Sequence, residues 1–309
     1  MDTNTRTVNN MLSIAMTTYN GANYISQQLE SIARQTIHDY ELVICDDCSK
    51  DNTVEIIKSF QQNDSRIKLF CNEHNLGFKK NFEKVIQLCQ NDYIALCDQD
   101  DVWTENHLES LLSNIGDNYV IAGNNELVDK SLQSLNLTFF DSHLFSINKY
   151  PANKDVLRKI LLSGNCFQGA SMMLKKDIIE HYLPLPEKIH YHDSWLAALA
   201  CCLNKFTVTE TVITKYRQHE SQVTSGDKSN SGFAQGRVFF CEELLHHEPS
   251  ASSDTVINKI KDYFSNLTTT KKRLIQSKFW LNNYSYLYPD RNKIKLLPRF
   301  FKFILFYKE

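Results

Sequence analysis

Apolar residues fall in short runs that begin at Leu12 (LSIAMTTY), Glu41 (ELVIC), Ile67 (IKLF), Tyr93 (YIALC) and Tyr119 (YVIAG), about 26 to 29 residues apart. Each run is followed by polar or turn-forming residues, a spacing that predicts strands alternating with helices. The stretches between them carry helical stripes: Ile25, Leu29 and Ile32; Phe82, Val85, Ile86 and Cys89; Leu108, Leu111, Leu112 and Ile115. Steps of three and four put each set on one helix face. The pattern predicts an α/β chain in which residues 1–123 form a doubly wound, mainly parallel sheet. From 124 to 227 the rhythm breaks. A small-residue run (GNCFQGASMML, 164–174), a helix around 194–203 and an extended stretch (FTVTETVITKYR, 206–217) predict an α+β half packed on the same sheet. The polar SGDKSNSG segment marks a boundary, and 228–309 reads as a helical extension.

Composition narrows the class. With 42% hydrophobic and 23% charged residues the chain is neither disordered nor fibrous. No run approaches the roughly 18 apolar residues of a spanning helix. The net charge of −2 hides an asymmetry: residues 251–309 hold 12 Lys or Arg against 4 Asp or Glu, which leaves −10 on the rest. Nine cysteines without a repeating interval argue against a disulfide framework and for a reducing, cytoplasmic compartment. The polar start, MDTNTRTVNN, has no secretion-signal core.

In a doubly wound sheet, ligands sit beyond the carboxyl ends of the strands. Those ends carry Thr18-Tyr19-Asn20, Asp46-Asp47, the stretch from Asn72 to Gly77, and Asp98-Gln99-Asp100-Asp101. Three carboxylates in four residues repel one another, so a fold that assembles them at a strand end places a cation there. Oxygen ligands suit Mg²⁺ or Mn²⁺, which would hold a diphosphate and neutralise a leaving group. Asp46 or Asp47 is then available to a nucleobase. No Gly-rich dinucleotide fingerprint or P-loop occurs, so metal and side chains must bind phosphate.

The ordered set MTTYNGANYISQQLESIARQT, VICDDCSKDNT, NEHNLGFKKNFE, ALCDQDDVW, HDSW and YRQH, spanning about residues 11–220, resembles the family-2 nucleotide-sugar glycosyltransferases of the GT-A fold. It looks most like bacterial rhamnosyl- and hexosyltransferases of surface-polysaccharide assembly. The resemblance implies that Asp98 and Asp100 hold a divalent metal and the sugar-nucleotide diphosphate. It also implies that Asp46 and Asp47 contact the base, and that Thr18, Tyr19 and Asn20 line the nucleotide pocket, with Asn75 and Gly77 shaping it. Where the family carries a Glu-Asp pair, this chain has His192-Asp193, 93 residues after Asp100. The general-base role passes to Asp193, which also suits a helix N-cap. The role of His192 stays open. In YRQH, Arg217 is matched to the diphosphate and His219 to metal or phosphate.

Trp103 and Trp195 adjoin the two acidic sites, where an indole either stacks on a sugar or sits in the core. With His192 they are the acceptor-side candidates. Cys45-X-X-Cys48 competes with the nucleotide reading, and His190-Tyr191-His192 has no zinc-spaced partner pair. The tail, KIKLLPRFFKFILFYKE, interleaves Lys293, Lys295, Arg299, Lys302 and Lys308 with aromatic and aliphatic residues. It fits a helix on an anionic leaflet, or one docked on the body or on a homodimer partner. The acidic remainder argues against nucleic acid.

The expectation is a metal-dependent, inverting transferase on the inner face of the plasma membrane. Its donor is a UDP- or dTDP-sugar and its acceptor a lipid-linked glycan. A sugar nucleotidyltransferase or a non-catalytic glycan-binding scaffold are the rivals.

Overall fold

The computed structural model describes residues 12–189, 191–220, 233–248, 255–267, 270–287 and 296–306. The polar boundary at 225–232, His190, Lys293, Lys295 and Lys308 lie outside them, as do the side chains of Leu296, Leu297 and Phe306.

The first half alternates as its periodicity predicts: β1 (Leu12–Thr18), α1 (Ile25–Ala33), β2 (Tyr40–Asp46), α2 (Thr53–Gln61), β3 (Ile67–Cys71), α3 (Phe78–Leu88) and β4 (Tyr93–Cys97). A two-residue strand β5 (Val102–Trp103), α4 (His107–Ile115) and β6 (Val120–Val128) follow. Then come β7 (Ser134–Thr138), α5 (Phe139–Ser142), α6 (Asn153–Ser163), β8 (Met172–Lys175), α7 (Ile179–Tyr182), α8 (His192–Cys202) and β9 (Phe206–Arg217). Six further helices close the described chain: α9 (Phe233–His247), α10 (Thr255–Ser265), α11 (Thr270–Ile275), α12 (Ser277–Asn282), α13 (Tyr284–Leu287) and α14 (Leu296–Phe306).

One sheet carries all nine strands of the described residues, in the order β3-β2-β1-β4-β8-β6-β9-β5 with β7 on β6. The four N-terminal strands pair in parallel, β8 enters antiparallel between β4 and β6, and β9 runs parallel to β6. Every residue of β1 and β2 is buried, as expected of strands covered on both faces. Side chains alternate between two cores. Leu12, Ile14 and Met16 pack with Ile25, Leu29, Ile32, Leu108 and Leu111 on one face. Ala15, Val43 and Leu96 pack with Phe82, Val85, Ile86 and the later helices on the other.

Helix α8 departs from an amphipathic pattern: from Trp195 to Ala200 each residue is fully buried. A helix apolar all round belongs inside the molecule, so only its first turn can reach a surface. The tail also differs from a free-lying surface helix. In α14, Phe303 and Ile304 are buried, and the Phe303 ring stacks 5.3 Å from Trp280. Part of its apolar stripe is thus docked on the body. Among the described residues no helix is long and apolar enough to cross a membrane.

Candidate active site

The carboxyl ends of β1, β2 and β4 open into a cavity of about 490 Å³, closed on its far side by the first turn of α8. Thr18, Tyr19, Asn20, Asp47, Asn75, Gly77, Asp98, Asp100, His192, Asp193 and His219 all line it. Residues as far apart in the chain as Thr18 and His219, 201 positions, are brought together by the strand order.

The two adjacent acids after β2 divide their tasks. The Asp46 carboxylate accepts from the Thr18 hydroxyl at 2.8 Å and from the Ser49 amide and hydroxyl at 2.9 and 2.5 Å. It is buried and stays out of the cavity lining, which corrects its matching to the base: these bonds fasten the end of β1 to the turn that follows β2. Asp47 does reach the cavity. Its carboxylate accepts from Asn72 Nδ2 at 2.8 Å and from the amides of Leu76 and Gly77 at 2.7 and 2.9 Å. Gly77, at φ +81°, supplies the left-handed turn that lets its amide face Asp47 just before α3 begins. Gln99 went unassigned in the sequence although it stands between the acids. Its side chain accepts from the Tyr19 amide at 2.9 Å and donates to the Tyr19 carbonyl at 3.0 Å, tying β1 to the acidic turn. Gly21 lies against it, and a side chain there would overlap the Gln99 carboxamide.

In the acidic turn, neighbouring side chains point apart. Asp101 is buried and accepts from Gln168 Nε2 and from the Arg217 amide, both at 3.0 Å. Asp98 and Asp100 face the cavity. Burial, then Asp100, then Asp193 raise the Asp98 carboxyl well above the carboxylate range. His219 Nε2 lies 2.9 Å from Asp100 Oδ2. Arg217 is placed differently from its match to the diphosphate. Its guanidinium is buried, donating to the main-chain oxygens of Asp100 and Lys130, each at 2.7 Å, and to Gln27 Oε1 at 2.6 Å. Packed over Tyr24, it supports the turn from below and does not line the cavity.

Asp98, Asp100 and His219 all line the cavity and are donor types that suit Mn²⁺ or Mg²⁺, and a cation beside Asp98 would offset the Asp100 repulsion that adds to burial in raising it. Among the described residues no three His, Cys, Asp or Glu side chains stand ready-made around one point, and Asp100 and His219 are bonded to each other.

Asp193, also in the cavity lining, is the second residue of α8, so the N-cap position expected of it is taken instead by Tyr191. Burial lifts the Asp193 carboxyl to about 7, against lowering hydrogen bonds from the Ser194 and Gly169 amides and the Asn165 side chain. His192 is 7% exposed, and its ring stacks 4.1 Å from Phe82. Neither ring nitrogen has a hydrogen-bond partner among the described residues. Burial lowers its pKa to about 4, so the imidazole is neutral at neutral pH. Gly169 permits this approach, because a Cβ there would lie 2.7 Å from His192 Nε2. Its run of small residues was the visible signal, without an assigned role.

Both tryptophans are corrected as acceptor contacts. Trp103 is buried on the opposite face of the sheet, stacked 3.7 Å from His107. Trp195 is fully buried between Phe240 and His247, its indole N–H donating to the Tyr182 carbonyl. Neither touches the cavity.

Comparison with known proteins decides the family. The family model described as glycosyl transferase family 2 matches residues 13–183. The chain belongs to glycosyl transferase family 2. Among the relatives of this family-2 chain is the Escherichia coli UDP-Glc:alpha-D-GlcNAc-diphosphoundecaprenol beta-1,3-glucosyltransferase WfgD, 36% identical over 70% of this chain and 80% of that protein. The dTDP-rhamnosyl transferase RfbG of Shigella flexneri is 31% identical over 67% of this chain and 72% of its own length. The fold is shared with S. aureus TarS 1–349 in complex with UDP-GlcNAc, at TM-score 0.61 and 17% identity, covering 95% and 81% of the two chains. It is shared too with the Pyrobaculum calidifontis mannosyltransferase PcManGT, in complex with GDP-Man and Mn²⁺, at TM-score 0.55 and 14% identity, covering 97% and 81%. The architecture is the GT-A arrangement that the motif resemblance implied.

Proposed function

We propose that this family-2 enzyme moves a hexose or rhamnose, with inversion, from a UDP- or dTDP-sugar to a hydroxyl of a lipid-linked glycan in surface-polysaccharide synthesis. The observation that carries the reading is that one further carboxyl, Asp193, lines the same cavity as Asp98 and Asp100 and lies close enough to raise Asp98. The names of WfgD and RfbG supply the donor and acceptor classes. Such a reaction belongs on the cytoplasmic face of the membrane, where nucleotide sugars are made.

In this reading Asp47, Thr18, Tyr19, Asn20, Asn75 and Gly77 bound the nucleoside end. Asp98 and Asp100, with His219, would hold Mn²⁺ or Mg²⁺, whose chemistry is to neutralise the diphosphate as it leaves. Asp193 takes the acceptor hydroxyl's proton as that oxygen bonds to the anomeric carbon and the bond to the diphosphate breaks. Nothing covalent forms on the protein. His192, neutral and without a hydrogen-bond partner among the described residues, orients the acceptor by hydrogen bonding.

Two measurements test this. A ligand that binds only the folded state raises the melting temperature, so UDP- and dTDP-sugars with Mn²⁺ are expected to stabilise the protein and GDP-sugars to leave it unchanged. No shift with any nucleotide sugar defeats the donor assignment. The second is the pH dependence of kcat/KM. With the Asp193 pKa raised to about 7, activity falls about tenfold per pH unit below that value and levels off above it. The folded state holds this proton up to about 7 while the unfolded chain releases it near 3.8, so stability declines as pH rises through that window. A flat profile between pH 5 and 8 defeats the role of Asp193 as base.

A further inference from the structure

The C-terminal helices carry a face that transfer chemistry does not use. Helices α11 and α12 turn Arg273 and Trp280 inward, while Leu274, Ile275, Lys278 and Leu281 face out. Steps of three and four along 274, 278 and 281 set these on one side. Helix α14 packs on α11, buries Phe303 and Ile304, and leaves Phe301 and Lys302 outside. The three most exposed large apolar side chains among the described residues, Ile275 at 72%, Phe301 at 57% and Leu274 at 53%, all belong to this pair of helices. Monomers seldom expose such side chains side by side without a partner.

Charge identifies the partner. Residues 270–287 and 296–306 hold six Lys or Arg and no Asp or Glu, in a chain of net charge −2. Four of the six, Lys271, Lys272, Lys278 and Lys302, are exposed, and a second copy docked two-fold on the same face would set them against each other. An anionic leaflet meets both features, since apolar side chains enter the headgroup boundary while each nearby lysine contributes roughly 1 kcal/mol.

We propose that the α11–α12–α14 face is the docking surface for an anionic lipid bilayer. It broadens the tail helix into a three-helix platform whose inner side is fastened to the body by Trp280 and Phe303. The inference goes beyond the transferase reading and does not rest on it.

Flotation of the full chain with vesicles of equimolar phosphatidylglycerol and phosphatidylcholine, and with phosphatidylcholine alone, tests it. The protein is expected to float with the anionic vesicles and to stay behind with the neutral ones. Ile275→Asp with Phe301→Asp, and separately Lys271→Glu with Lys278→Glu, are expected to lower partitioning roughly tenfold or more. Both pairs are exposed and outside the cavity, so melting temperature and nucleotide-sugar binding should not change. Equal binding to neutral vesicles, no flotation of the parent chain, or flotation of both variants like the parent overturns the proposal. So does a parent dimer that either variant splits while flotation persists. A chain that floats with anionic lipid yet binds no nucleotide sugar keeps this inference and loses the donor assignment.

Discussion

Asp193→Asn is expected to keep nucleotide-sugar affinity within about twofold while turnover falls by about 10² to 10⁴. Asparagine preserves shape, and its amide oxygen can still accept from the Ser194 amide, now 2.6 Å from Oδ1. Helix α8 is held by its buried body from Trp195 onward, so the fold does not depend on this charge. Only proton acceptance is removed. Because burial raises the Asp193 pKa, ionising it in the folded state is unfavourable, and its ionised form adds to the pressure on Asp98. The variant should therefore melt at a higher temperature above pH 7 than the parent, a readout independent of turnover. Steady-state kinetics at saturating donor, with calorimetry for donor binding, provide the check; undiminished turnover removes Asp193 as the base. A glycan-binding scaffold would show no transfer even in the parent.

Asp100→Ala is expected to lower transfer by about 10² to 10³ and to abolish stimulation by Mn²⁺. The turn itself should survive, because Arg217 binds the main-chain oxygen of Asp100 and Asp101 binds the Arg217 amide, neither of which involves the Asp100 carboxylate. What disappears is one of the two cavity-facing carboxylates of the acidic turn and a hydrogen-bond partner of His219. Donor affinity measured with and without Mn²⁺ separates a cation site from a scaffold acid. Affinity that ignores Mn²⁺ in the parent, or a variant that retains full stimulation, would sink the metal assignment.

The corrections share one geometric cause. Asp193 and Trp195 are two residues apart on a helix, about 200° around its axis, so the one that meets the cavity turns the other into the core. Asp100 and Asp101 diverge in the same way across a tight turn, as do Asp46 and Asp47 after β2. Trp103 follows the acidic run directly, yet β5 hands it to the opposite face of the sheet. Arg217 resembled a phosphate ligand by its place in the chain, but three acceptors of the acidic turn and its surroundings capture the guanidinium first. Adjacency along the chain does not give direction in space. The roles of Gln99 and Gly169 were hidden for the complementary reason: each acts on a residue distant in sequence, Tyr19 or His192.

Read alone, the sequence determined the alternation of strands and helices, the strand ends where ligands gather, and the acids from which a transferase site is built. These are set by periodicities of two and 3.6 residues and by short motifs, all local along the chain. Only the tertiary structure decided which acids share one cavity, that His192 is buried without a hydrogen-bond partner among the described residues, that Arg217 braces the acidic turn, and that both tryptophans sit in the core. Those outcomes depend on burial and on side-chain direction, quantities that exist only once distant segments have packed together.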